Sequence, residues 1–276
     1  MEVCGIYGYE FTKSFWFREL EFIPRFTDTS EAHRASRSRA FELTGWVRCG
    51  VFGQVLPFRL AAILSFIERM KVVIADPVAE TPSFKTSFLL NIPGGMFERS
   101  SGGGAVLLRD CFEPDSRPDF INKAMLAFED THTSENFRFP ELIFSCVESF
   151  SLSRPLIELQ YFLLFSAVEC HARTVLSDSS SRLPRILAKA LSEMGFDVSK
   201  ENKADPRKSM KTYTDLRNAL FHHGRRYFIE DGSKYHRLPD YLFNFAQLVA
   251  LLIFKVVGFD DGHINWDSWL DRQAFK

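Results

Sequence analysis

Cysteine is sparse in this sequence, and none of it is paired by spacing. Cys4, Cys49, Cys111, Cys146 and Cys170 are scattered through 276 residues without a C-x-x-C. That pattern argues against a disulfide framework or a zinc site and fits a reducing cytoplasm. Charge of either sign is not in excess: the formal net charge is −1, so no global field advertises nucleic acid. Long hydrophobic runs are missing too. The most apolar window, Tyr241 to Val257, is short for a bilayer span and is interrupted by Asn244, Gln247 and Lys255. It reads as a buried helix, and no membrane partner is expected. The opening Met1 to Gly5 has no basic segment followed by an apolar run, so no signal peptide is expected. Several catalytic signatures are absent. Gly102 to Gly104 lacks the Lys-Ser/Thr of a phosphate loop, no serine stands in Gly-x-Ser-x-Gly, and Asp260 to His263 is too short for a calcium loop. No cofactor and no metal are expected.

Phenylalanine is abundant, with 29 residues, so the cores are built largely from aromatic packing. The length suits one large domain or two ordinary ones. The pattern changes partway. Residues 1–130 mix strand and helix: Phe15, Phe17, Leu20 and Phe22, then Phe41 to Arg48, have the alternation of half-buried strands. Arg59 to Lys71 has helical spacing, and strands are expected over Val72 to Ala75, Phe84 to Ile92 and Ala105 to Leu108. A short helix is expected over Ile121 to Phe128. The polar run Glu129 to Asn136 reads as a boundary. Residues 137–276 are helical: Glu141 to Phe150, Pro155 to Leu176, Leu183 to Met194, Asp205 to His223 and a final helix opened by Pro239. Asp231-Gly232 marks a small hairpin between the last two. The fold class is α+β, a strand-rich first domain followed by a helical bundle.

The stretch Lys211 to Gly224 concentrates the chemistry. Asp205-Pro206 is a good helix start and Gly224 a good stop. Met210, Tyr213, Leu216, Leu220 and Phe221 fall on one apolar stripe, with Arg217 inside it. A guanidinium buried there needs a carboxylate in the core or an anion at an interface. His222 lies in the last turn, where the helix dipole favours the imidazolium. Asn218 stands one turn before it on the same side. Arginine for a phosphate, histidine for proton transfer and an amide to orient them suit phosphodiester cleavage. Lys200 to Arg226 holds eight Lys or Arg against three Asp or Glu, a local excess that reads either as a solvated face or as an RNA-backbone contact.

Arg217-Asn-Ala-Leu-Phe-His222 at a helix end resembles the Arg-x4-6-His signature of the HEPN superfamily. The wording from Leu216 to Gly224 is most similar to ApeA-like HEPN domains of bacterial phage-defence proteins. The resemblance covers roughly the C-terminal half of the chain and leaves residues 1–130 unassigned. It implies metal-independent RNA cleavage by a homodimer that acts as a toxin or abortive-infection effector. The 2′-hydroxyl attacks the adjacent phosphorus, leaving a 2′,3′-cyclic phosphate and a 5′-hydroxyl. His222 is then general acid or base, Arg217 holds the phosphate and Asn218 orients one of them. Glu169 is an acidic residue of the type such domains carry and would pair with Arg217. His223 is either a neighbour of the site or a helix-end residue. Lys211, Arg225 and Arg226 are candidate RNA contacts, and the first domain is a candidate sensor for a phage-derived or regulatory ligand. Arg217 and His222 lie about 140° apart around a helix, so one chain's pair does not converge cleanly on a single point, whereas two helices packed across a two-fold axis could supply convergence. The alternative is a catalytically silent HEPN bundle for dimerisation or partner binding. Cys170 is expected to be buried, His222, His223 and His236 are not expected to bind metal, and Trp266 and Trp269 are expected to pack the tail.

Overall fold

The computed structural model describes residues 1–53, 55–85, 88, 99, 104–151 and 156–276. The chain divides into two compact units, Met1–Leu126 with Phe150–Arg154, and Ala127–Ser149 with Pro155–Lys276. The class is α+β: an antiparallel sheet in the first unit, helices and one hairpin in the second.

The sheet is organised on β1 (Glu2–Tyr7), which pairs with β4 (Leu43–Cys49) along its whole length. The order β2 (Phe15–Phe17), β3 (Leu20–Pro24), β4, β1, β5 (Val73–Ile74) is antiparallel at every step, and β6 (Val78–Ala79) adds to β1. Every residue from Val3 to Tyr7 is buried. A strand covered on both faces has no apolar-polar alternation, which is why Glu2–Tyr7 is silent to a search for period two. The β2–β3 hairpin is clamped by Phe15 and Phe22, stacked at 4.4 Å. Two helices, α1 (Thr29–Arg37) and α2 (Val55–Glu68), complete the part before residue 80. Asp28 starts α1 by accepting from the backbone of Ser30 and Glu31. The sequence reading passed over this helix, because its mean character is polar.

Two expectations in this unit fail, and a third is met by a longer element. Ala105 to Leu108 is not a strand, and Val106 instead donates to the Ile67 carbonyl at 2.9 Å. Phe84 and Lys85 are helical rather than extended, and most of the expected strand to Ile92 lies outside the described residues. The helix expected over Ile121 to Phe128 is longer, α3 (Ser116–Glu129). Gly102 and Gly103 also lie outside the described residues.

In the second unit the polar run forms a π turn, His132–Asn136, ahead of α4 (Phe139–Ser151). There follow α5 (Ile157–Leu176), α6 (Leu183–Glu193), α7 (Met210–His223), the hairpin β7 (Tyr227–Glu230) and β8 (Lys234–Arg237), and α8 (Leu238–Val256). A short α9 (Ser268–Asp271) ends the series. The hairpin turns on Asp231 and Gly232, both with positive φ, the geometry that makes Asp-Gly a hairpin signal. The core between α5, α7 and α8 is aromatic: Phe245 packs on Tyr161 at 5.5 Å and on Tyr213 at 5.0 Å. By length and composition α8 is apolar enough to cross a membrane, but 61% of its most apolar window is buried inside the protein. The tail docks on it as expected. Trp269 is buried, its carbonyl accepts from Asn244, and the Lys255 ammonium sits 3.9 Å above the Trp266 ring.

Candidate functional site

Helix α7 starts later than Asp205-Pro206 suggests. Asp205 caps a separate 3-10 turn, Pro206–Lys208, and Ser209 caps α7 itself by accepting from Thr212. Two phenols fix the helix in place. Tyr161 donates to the Tyr213 carbonyl at 2.6 Å, and Tyr213 donates to the Arg207 carbonyl at 2.9 Å. The C-terminus closes on Gly224, φ +60°, with Gly224 N–H on Leu220 and Arg225 N–H on Ala219. The buried stripe is Met210, Tyr213 and Leu216.

Arg217 lies at the edge of that stripe, half-buried. Its Nη1 donates to Asn218 Oδ1 at 3.1 Å, and its guanidinium lies 4.9 Å from the centroid of the Phe221 ring. No carboxylate among the described residues pairs with it. Glu169 does not: its Oε1 accepts from Arg173 Nε, one turn along α5, at 2.9 Å. The stripe is therefore narrower than the sequence implied. Phe221 is 44% exposed and packs against Phe162 at 5.1 Å, so Arg217 escapes burial and needs no core partner. Asn218 turns to the arginine and not to His222.

Arg217 and Asn218 line an open cleft of about 410 Å³. Glu169, Arg173, Lys200, Lys211 and Asp215 are the other charged residues in its wall. Both carboxylates are already taken, Glu169 by Arg173 and Asp215 by Lys211 at 2.7 Å. Lys200 and Arg217 are left as uncompensated cations, so the cleft attracts anions. Lys211 is held by Asp215, and that hydrogen bond raises its pKa. It is thus a wall of the cleft more than a free RNA contact. Arg226 is likewise paired, with Glu158. Arg225 is exposed and its side chain has no partner among the described residues.

His222 and His223 are both exposed, their rings 6.4 Å apart, and neither lines the cleft. Within one chain the arginine and the histidine therefore do not share a pocket. A second concavity of about 390 Å³ lies on the other side of Phe221, between Leu159, Phe162 and Leu220. Its wall is apolar at Leu159, Phe162, Leu220 and Phe221 and carries one charge, Glu158, which is held by Arg226; Leu159 and Phe162 are exposed.

The remaining candidates are structural. Cys170 is half-buried, where full burial was expected. His171 is buried and held by the Phe137 carbonyl at 2.7 Å, and burial lowers its pKa. His236 is locked between Tyr241 and Glu230 inside the hairpin. Among the described residues no group of three or more His, Cys, Asp or Glu is placed to hold a metal ion. Sequence reasoning missed Lys200 and Arg173 as cleft residues, because nothing local ties them to α7. It also missed the densest charge cluster, which belongs to the first unit. There Glu68, fully buried, accepts from Arg37 at 2.8 Å and from Arg117 at 2.9 Å, while Glu10 accepts from His33 and Arg109.

Fold and cleft together define an α+β protein whose helical unit presents an anion-attracting cleft next to an apolar face. Compared with protein-family models, with curated proteins and with solved structures, the chain matches none.

Proposed function

We propose that this chain is a metal-independent endoribonuclease of the HEPN type, working as a homodimer in the cytoplasm. The observation that carries the reading is the state of Arg217. It is a permanent cation without a carboxylate partner, pre-oriented by Asn218 and the Phe221 ring, facing a cleft with surplus positive charge. A phosphate is the natural counter-ion for such a group. The apolar rim at Leu159 and Phe162 adjoins it and supplies the surface on which a second copy docks. With two α7 helices facing across a two-fold axis, each His222 comes toward the partner's arginine.

In the reaction, Arg217 binds the non-bridging phosphate oxygens and the charge that grows on them. His222 takes the proton of the 2′-hydroxyl or gives one to the departing 5′-oxygen. The products are a 2′,3′-cyclic phosphate and a 5′-hydroxyl, and no metal takes part. Cutting host RNA in this way fits a toxin or phage-defence effector, with the first unit as the sensor of a phage-derived or regulatory ligand. Incubating wild type, Arg217→Ala and His222→Ala with total RNA in EDTA tests the proposal. Cleavage by wild type alone supports it, and equal cleavage by either variant overturns it.

A second reading, a silent HEPN bundle used for dimerisation or partner binding, is favoured by one observation. Asn218 is committed to Arg217, and the His222 ring has no hydrogen-bond partner among the described residues. A dimer that cuts no RNA under any trigger would select it.

A further inference from the structure

The hairpin that follows α7 has two unlike faces. Its inner face is spent on the fold: His236 is buried, stacked on Phe228 at 4.7 Å and bonded to Tyr241 and Glu230. Its outer face is open. Register places Tyr227 opposite Arg237 and Ile229 opposite Tyr235, and strand alternation turns these four residues the same way. Tyr235 is 63% exposed, and Tyr227 and Ile229 are also exposed. The two tyrosine rings stand as a diagonal pair, centroids 5.9 Å apart. Arg237 is exposed at the edge of the pair, and the side chains of Arg237 and Arg225 have no partner among the described residues. Glu230, the one carboxylate on the two strands, is turned in to His236.

Two exposed aromatic rings, with the Arg237 guanidinium on their face and Arg225 two residues before Tyr227, suit one ligand chemistry above others. Unpaired bases stack on the rings while their phosphates meet the arginines. A hydrophobic protein partner would leave Arg237 and Arg225 without counter-charge. Position agrees. Tyr227 follows His222 by five residues, so their Cα atoms lie within about 17 Å by chain length alone, a span of a few nucleotides. We infer that the outer face of the β7–β8 hairpin is a stacking platform for single-stranded RNA, holding bases next to the scissile link. The choice of RNA rests on the nuclease reading, but the platform is tested by binding and not by cleavage.

The test uses the full chain carrying His222→Ala, so that no probe is cut, and fluorescence anisotropy with a labelled single-stranded RNA oligonucleotide in EDTA. Adding Tyr227→Ala and Tyr235→Ala weakens binding by tenfold or more, on the order of what loss of one stacked base costs. Adding Tyr227→Phe and Tyr235→Phe instead leaves affinity within about threefold, because the π face is kept. Arg237→Gln flattens the salt dependence by about one ion. Duplex RNA of the same sequence binds more weakly and does not respond to the tyrosine changes. Unchanged affinity in the alanine variant overturns the platform, and so does failure of the parent to bind single strands. A variant that keeps its affinity but changes its oligomeric state marks the hairpin as a protein interface and also overturns it. Should wild type cut no RNA while the alanine variant still loses binding, the nuclease reading falls and the platform stands.

Discussion

The guanidinium of Arg217 donates to the amide oxygen of its own neighbour, Asn218, at 3.1 Å, and not to Glu169. The arginine on which the proposed chemistry turns therefore contributes little to the fold. Arg217→Ala loses one cation–π contact and one short-range hydrogen bond, a cost of about 1 kcal/mol by urea unfolding. The same change lowers RNA cleavage by on the order of a hundredfold or more, as removal of one preorganised oxyanion donor does. A stability loss of about 3 kcal/mol or above would instead mark Arg217 as half of a buried ion pair.

The apolar rim beside Phe221 makes oligomerisation testable by a single charge. Phe162 is 40% exposed and meets Phe221, itself exposed, at a tilt of 44°, so Phe162→Glu should be tolerated by the monomer. It should shift the protein from dimer to monomer in sedimentation equilibrium and abolish cleavage without lowering the unfolding midpoint. A Phe162→Glu protein that remains dimeric rules out this face as the interface.

Arg117 is the opposite of Arg217. It is fully buried, with Nη1 shared between Glu68 at 2.9 Å and the Glu10 carbonyl at 2.7 Å. Arg117→Met leaves Glu68 with Arg37 and the Glu10 N–H as its partners and costs about 3–5 kcal/mol in denaturant unfolding. The control is Arg173→Met, which breaks the partly exposed pair with Glu169 and costs less than about 1 kcal/mol.

Burial pushes the Asp110 carboxyl from 3.8 up to about 6, against the pull of Arg117, whose Nε lies 3.8 Å away. The folded state thus binds this proton more tightly than the unfolded state does. The contribution to stability is complete below 3.8 and is lost as pH rises through about 6. Asp110→Asn should therefore be more stable than wild type at neutral pH, by at most about 3 kcal/mol. The difference should vanish in acid. An Asp110→Asn protein that is less stable at neutral pH would show that Arg117 needs the charge.

The thiols should react in order of access. Cys111 is exposed and labels first with a chromogenic disulfide, whereas Cys4 is buried and its thiol is pushed up to about 12. Labelling of Cys4 should appear only with global unfolding.

What was legible in the sequence is what local chemistry determines. Asp231-Gly232 announced the hairpin because only a few residue types tolerate positive φ, and Gly224 announced the end of α7. The helix spacing of α5 and α6 was readable because each keeps one solvated face. What was hidden depends on the third dimension. Strand β1 is buried on both sides and shows no alternation. The lateness of α7 turned on Ser209 outcompeting Asp205 as its cap, and the two spellings are equally good locally. The cleft could not be read because Lys200 and Arg173 reach it from other elements. The stripe that encloses Arg217 in the sequence pattern counts Phe221 among its buried members, and leaves the arginine either a core carboxylate or an anion at an interface. The ring is exposed, and the arginine packed on it is only half-buried.

The account's central claim is that one chain's arginine works with its partner's histidine, and mixed dimers test it most directly. Arg217→Ala and His222→Ala chains, each inactive alone, are co-expressed with different affinity tags and the heterodimer is isolated through both. The heterodimer retains one arginine and one histidine from opposite chains, and it should cut RNA in EDTA to a 2′,3′-cyclic phosphate end. If wild type is active but the verified heterodimer is as silent as either parent, the composite site is contradicted.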